Sequence, residues 1–228
     1  MTAWMDASDA AALAWFLVVW LGYTLFADHG PARRRSIGYA MNARRRAWMT
    51  EACRREVRIV DTQILGNLLT GIGFFASTTI FVIGGLIAML GVAEEGARAL
   101  ARLPVQVDTD PAAWEGKVIL LLVIFIYAFF KFAWAFRLAN YCSITVGSLP
   151  AEAGSDPAAE ARISEAAAAL SRISGHHFNR GLRAYFFALA ALGWMLGPEA
   201  FAAMTAGVLA VLYRREFHSE ALAAVRNL

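Results

Sequence analysis

The chain has 228 residues, 59% of them hydrophobic, and a formal net charge of +3. Soluble domains usually run about 45–50% apolar. Here the excess falls in long runs between short charged segments, and no soluble-looking block exceeds about 40 residues, below the usual domain size; this excludes an ordinary soluble enzyme domain and points to one polytopic, all-α membrane domain over residues 1–228. The positive charge is almost all arginine, with Lys117 and Lys131 the only lysines. In such a chain it concerns orientation and anionic lipid, not nucleic acid.

The first predicted span is "AAALAWFLVVWLGYTLFA", residues 10–27, closed by "DHGP" with Gly30 and Pro31 as breakers. Acids (Asp6, Asp9) precede it instead of a basic region. Bulky Leu25 stands where a signal-peptidase site wants a small residue, so the run reads as an uncleaved helix.

The connector 28–65 holds nine arginines against Asp28, Glu51, Glu56 and Asp61. From Met41 it has helical periodicity, with Met49, Cys53, Val57, Val60 and Ile64 on one stripe and Glu51 placed to pair with Arg55 at i+4. It predicts a basic amphipathic helix running directly into the next span. Arg44, Arg45, Arg46, Arg54, Arg55 and Arg58 are its candidates for binding anionic headgroups or a partner.

The second predicted span covers residues 66–92. Gly66, Thr70, Gly73, Ser77, Gly84 and Ala88 recur near one face, a stripe that lets another helix, of this chain or of a second copy, approach closely in lipid. Its "GIGFFA" fits a dinucleotide fingerprint only by letter, since no strand precedes it. An acidic segment follows, with Glu94, Glu95, Asp108, Asp110 and Glu115 against Arg98 and Arg102.

The third span runs over 117–139. In the polar segment 140–181, Ser155 or Asp156 caps a helix with Pro157 at its first position. Ile163, Ala167, Leu170 and Ile173 form its apolar stripe and Gly175 stops it. The last apolar block, Arg183 to Tyr213, exceeds the roughly 20 residues one span needs. Two short spans, 182–197 and 199–213, joined at "GPE", fit it; one long bent helix, giving four spans in all, or a re-entrant hairpin is the alternative. Charge favours five spans with the N-terminus periplasmic and the C-terminus cytoplasmic. The segments 28–65, 140–181 and 214–228 then lie inside, while the acidic segment and the "GPE" turn lie outside. Cys53 and Cys142 fall on the reducing side as unpaired thiols.

Two cations interrupt the third span, in "YAFFKFAWAFRLANYCS". Arg137 and Asn140 sit at its cytoplasmic end. Lys131 is about 12 Å deeper at 1.5 Å per residue. A lysine at such depth costs about 2.5–3.5 kcal/mol on insertion scales, so it snorkels, pairs, or faces water. As an anion site it would be joined by Arg137, Asn140, Arg180, Arg183 and His177. As a structural group its partner would be Asp61, with Asn67, Ser77 and Thr78 as further polar neighbours. No histidine pair has metal-ligand spacing, and no catalytic or cofactor motif occurs, so neither an enzyme nor a bound cofactor is expected.

Several long stretches, "RIVDTQILGNLL", "FFASTTIF", "YAFFKFAW", "HFNRGLRAYFFALAALGWML" and "VLYRREFHS", together resemble a mainly proteobacterial inner-membrane family catalogued only as a domain of unknown function. The resemblance covers nearly the whole chain and implies a compact multi-span protein of the bacterial inner membrane without a soluble catalytic domain. Function is left between a small anion transporter or channel and a non-enzymatic interaction or assembly protein.

Overall fold

The computed structural model describes residues 5–100 and 110–227; Arg102 and Asp108 of the acidic segment lie outside them. The described residues are helical, without strands. In chain order they form α1 (Ala7–His29), α2 (Ile37–Arg54), α3 (Ile59–Leu90), α4 (Ala93–Leu100), α5 (Pro111–Gly147), α6 (Pro157–Leu192), α7 (Pro198–Phe217) and α8 (Glu220–Arg226). Short 3-10 turns fill Pro31–Arg35 and Gly193–Leu196.

Polar caps set the helix starts. The Asp6 carboxylate accepts from the Asp9 amide, Ser36 from Tyr39, Asp110 from Ala112, Asp156 from Ala159 and Ser219 from Leu222. α5 and α6 also begin on Pro111 and Pro157, whose fixed φ suits the first helical position.

Three helices, α1, α3 and α5, are long and apolar enough to cross a membrane; α6 and α7 are not among them. The protein is therefore an all-helical membrane protein, and the five-span count is not carried by length and composition alone. The last apolar block divides near the expected place. α6 ends at Leu192, the chain turns through Gly193–Leu196, and α7 starts at Pro198 after Gly197, whose φ of 128° excludes a residue with a side chain.

α5 and α6 are the spine, packed antiparallel along their length. Ser174 Oγ donates to the Ala135 carbonyl at 2.8 Å and Cys142 Sγ to Ala167 at 3.4 Å. α3 lies antiparallel on α5, with Phe75 stacked on Phe132 and Trp114 Nε1 donating to the Met89 carbonyl at 3.3 Å. α1 and α7 cover α6. There Phe16, Phe187, Trp194 and Phe201 fill a core with almost no exposure, and Trp194 Nε1 donates to Asp9 Oδ1 at 2.6 Å.

Two expectations are corrected. α6 does not stop at Gly175 but runs through it to Leu192. Gly175 and Gly181 are notches: a Cβ would lie 2.6 Å from an Arg45 guanidinium nitrogen at the first and 2.5 Å from the Phe132 ring at the second. Likewise α2 does not continue into the span. It ends at Arg54, and α3 starts afresh at Ile59. Met49 and Cys53 of the expected stripe are buried, but Val57, Val60 and Ile64 are exposed, because the axis turns where their burial would begin. Arg55 and Arg58 hold that corner. Arg55 Nη1 lies 2.6 Å from Asp61 Oδ1, while Arg58 donates to the Ala52 and Pro150 carbonyls. Glu51 pairs with Arg54 at 2.8 Å, not with Arg55.

Candidate functional site: an arginine-lined cleft

Where α1, α2, α6 and α7 converge, the chain encloses a cleft of about 220 Å³. Its charged walls are Arg33, Arg45, Arg172 and Arg183 against Asp28 and Glu216, with His29 and His176 beside them. A second hollow of about 320 Å³ between α2 and α6 shares Arg33, Tyr39, Asn42 and Arg172 with it and adds Arg46 and Glu165.

Asp28 anchors the cleft. It lies in the last turn of α1, where the helix dipole disfavours an anion, and is only 5% exposed. It persists there because α6 sets two arginines, at the i+4 and i+7 positions from His176, on one face. Arg180 Nε donates to Oδ2 at 2.6 Å, Arg183 Nη2 donates to Oδ1 at 2.7 Å, and His176 Nε2 sits 3.7 Å away. Arg183 also lies over the Tyr23 ring, and its Nη1 is buried without a hydrogen-bond partner.

Arg45 forms the opposite wall. Nη1 donates to Asn42 Oδ1 at 2.9 Å and the guanidinium rests in the Gly175 notch. Burial pulls its pKa below the ordinary arginine value, with no carboxylate to offset it. His176, in the segment 140–181, is pushed down to about 4, chiefly by burial, with Arg180, Arg183 and His177 adding to the effect and Asp28 opposing it.

Of the predicted anion set, Arg183 lines this cleft and Arg180 approaches Asp28 beside it. Lys131 is half-buried on α5, its Nζ 5.0 Å from the Tyr127 ring centroid; among the described residues no carboxylate lies within ion-pairing distance of it. His177 faces Trp134, with ring centroids 6.5 Å apart. Arg137 is exposed and donates to the Tyr141 hydroxyl at 2.6 Å; Asn140 donates to the Phe136 carbonyl one turn back. Asp61 is not beside Lys131. It is 1% exposed between Arg55 and Trp48, whose Nε1 donates to it at 2.7 Å. Asn67, Ser77 and Thr78 lie on α3 away from the cleft, Asn67 accepting from Gln63 at 3.3 Å.

The basic helix is split in its use. Arg44 donates to the Val225 carbonyl of α8, Arg54, Arg55 and Arg58 are engaged at the α2–α3 corner, and Arg46 is exposed, 3.7 Å from Glu165. Gly66, Thr70, Ser77, Gly84 and Ala88 lie on the exposed side of α3, while Gly73 meets the Phe136 ring. Among the described residues no group of three or more His, Cys, Asp or Glu side chains is placed to hold a metal ion.

Asp28, Asn42, Arg172 and Glu216 are cleft residues that sequence reasoning did not single out. Asp28 carried one signal: it is an acid directly after an apolar run, at a depth where α6 places two arginines.

Residues 11–221 match a family described as "Protein of unknown function, DUF599". The chain belongs to that family. No curated protein and no solved structure matches it. The family's span takes in every cleft-lining residue, from Ala27 to Glu216.

Proposed function

We propose that this is a bacterial inner-membrane protein that crosses five times, with its N-terminus outside, and binds an anionic group from the cytoplasm in the arginine-lined cleft without catalysing a reaction. The end of α6 from Leu182 and α7 as far as Tyr213 supply the fourth and fifth crossings, leaving the segment 140–181 inside. The contact pattern supports this: Asp9 meets Trp194 at one end of the bundle, and Asp28 meets Arg180 and Arg183 toward the other. In that orientation the basic connector is inside, as charge bias requires.

One observation carries the anion reading. Arg183 is 8% exposed, its Nη1 has no hydrogen-bond partner, and it lines a cleft whose arginines outnumber its carboxylates four to two. A buried guanidinium donor left unpaired is costly. Phosphate and carboxylate suit its fork geometry. Titration calorimetry of the purified protein with inorganic phosphate and sulfate tests it. Arg45→Ala and Arg172→Ala should each weaken binding about tenfold, the loss of roughly 1.4 kcal/mol expected for a charge-assisted contact. No saturable heat from wild type at millimolar anion would remove the reading.

Transport is a second reading, favoured by Lys131, a cation beyond the cleft with no carboxylate partner among the described residues. In the present conformation the path outward from Arg183 is filled by rings, Trp20 stacked on Phe187 at 5.8 Å and Phe16 against Phe201 at 5.0 Å. Anion flux into liposomes that is equal for wild type and Lys131→Ala would deny that lysine a role. The open stripe on α3 supports a homo-oligomer within either reading, testable by cysteine cross-linking at Gly84.

A further inference from the structure

A third hollow, of about 250 Å³, begins on the other side of Arg45. It is a trough between α3 and α6 with α5 as its floor. Leu68, Gly71 and Ile72 form one wall, Phe178 the other, and Ala139 and Cys142 the base. Gly71 and Ala139 keep it open by lacking bulk, and Gly175 makes room for Arg45 at its mouth. From Leu65 to Ile72 it follows about 10 Å of α3 at 1.5 Å per residue. Away from Arg45 it is closed. The Thr79 and Tyr185 hydroxyls are 2.8 Å apart across α3 and α6, and Phe178 packs on Phe75 and Phe132 at 5.5 and 5.6 Å.

This trough and the Asp28 cleft differ in chemistry and share the Arg45 side chain. One is a cationic cleft. The other is an apolar trough on a helix apolar enough to cross the membrane. Water gains little from an apolar trough of this kind, whereas an alkyl chain loses its contact with water or replaces loose lipid contacts there. A guanidinium at the trough's mouth, bonded to Asn42 and, among the described residues, to no carboxylate, complements a negative headgroup attached to such a chain. Arg183, nine-tenths buried and with an Nη1 that has no hydrogen-bond partner, also lines the cleft and is a further guanidinium for that headgroup.

We infer that the ligand is an anionic lipid of the cytoplasmic leaflet, with its phosphate headgroup held in the cleft by Arg45 and Arg183 and one acyl chain laid along the Gly71–Ile72 trough. This rests on the anion-binding reading above and narrows it from any anion to an amphiphile. Arg45 fixes the register between head and chain. Gly71 is open because a side chain there would occupy the space of the acyl chain.

The test uses the full chain in nanodiscs of zwitterionic phosphatidylcholine, with native mass spectrometry counting bound ligand. The probes are dodecyl phosphate, inorganic phosphate and dodecanol. Dodecyl phosphate should bind one per chain, at least tenfold more tightly than inorganic phosphate, and dodecanol should not saturate. Gly71→Leu is the discriminating variant: Gly71 lines the trough and a Cβ there meets nothing within 4 Å, so the leucine side chain starts from open space. It should weaken dodecyl phosphate at least tenfold and leave inorganic phosphate unchanged, whereas Arg45→Ala should weaken both. Circular dichroism and thermal unfolding check that each variant folds. Unchanged dodecyl phosphate affinity in Gly71→Leu, or equal affinity for dodecyl and inorganic phosphate, overturns the amphiphile inference while the anion cleft stands. Failure of wild type to bind either phosphate overturns both.

Discussion

Replacing Asp28 by asparagine probes the cleft and the fold at once. The substitution keeps side-chain volume and removes the charge that Arg180 and Arg183 share. The side chains are 2%, 21% and 10% exposed respectively, so solvent screens the cluster little. Removing one partner of a buried ion pair costs about 3–5 kcal/mol, because the remaining charges stay desolvated. Taking a negative charge from the C-terminal turn of α1 returns about 0.3–1 kcal/mol, leaving a net loss of about 2–5 kcal/mol. For a chain of this size each kcal/mol lowers Tm by about 2–4 °C, so Asp28→Asn should unfold about 4–20 °C below wild type when followed by intrinsic fluorescence in detergent. The same change leaves Arg183 uncompensated at the cleft wall and Arg180 beside it, and inorganic phosphate should bind several-fold more tightly and raise the variant's Tm more than wild type's. A Tm drop under about 2 °C would mean that the cluster is solvated and that its geometry is not what joins α1 to α6. A Tm drop without tighter phosphate binding would mean that Arg183 does not serve the cleft.

Glycine substitutions should separate notch from open face. Gly181→Ala drives a Cβ toward the Phe132 ring and should cost about 1–3 kcal/mol by overpacking. Gly71→Ala, mid-helix and unobstructed, should gain about 0.5–1 kcal/mol; both are read from thermal unfolding, and equal behaviour would refute the notch. Trp48→Phe removes an N–H donor to the buried carboxylate of Asp61 and should cost about 1.5–3 kcal/mol, seen as a lower Tm with the α2–α3 corner more open to proteolysis. His176 binds a proton less readily when folded, at about 4, than at its ordinary 6.5. Below pH 6.5 the unfolded chain therefore takes up a proton that the folded chain refuses, and stability falls as pH drops toward 4. Tm measured across that window should fall more steeply in wild type than in His176→Gln, and parallel profiles would refute the assignment.

The all-helical class, the membrane character and a helix start at Ser155 or Asp156 were legible in the chain, because hydrophobic run length and helix-start chemistry are local properties; the Asp110 cap came only with the fold. The break at Gly197–Pro198 was legible too, where a glycine needing positive φ precedes a proline at a helix start. The reach of α6 was not legible. Gly175 reads as a terminator locally, and only the Arg45 guanidinium lying against it turns it into a packing notch. The predicted companions of Lys131 were drawn from depth along a helix, which says nothing of azimuth. In the fold Asp61 faces Trp48 and Arg55, while Lys131 faces Tyr127. The connector's nine arginines looked alike in sequence, yet three of them, Arg54, Arg55 and Arg58, are engaged at the α2–α3 corner and Arg45 turns inward to join cleft and trough.

By itself, then, the sequence determined that the chain is helical and apolar enough for a bilayer and where α6 begins, since apolar transfer and end-capping act over a few neighbouring residues. Tertiary structure alone decided which charges meet. Asp28 and Arg183 are 155 positions apart along the chain, and only the packing of α1 on α6 brings them within hydrogen-bond reach and turns scattered cations into a site.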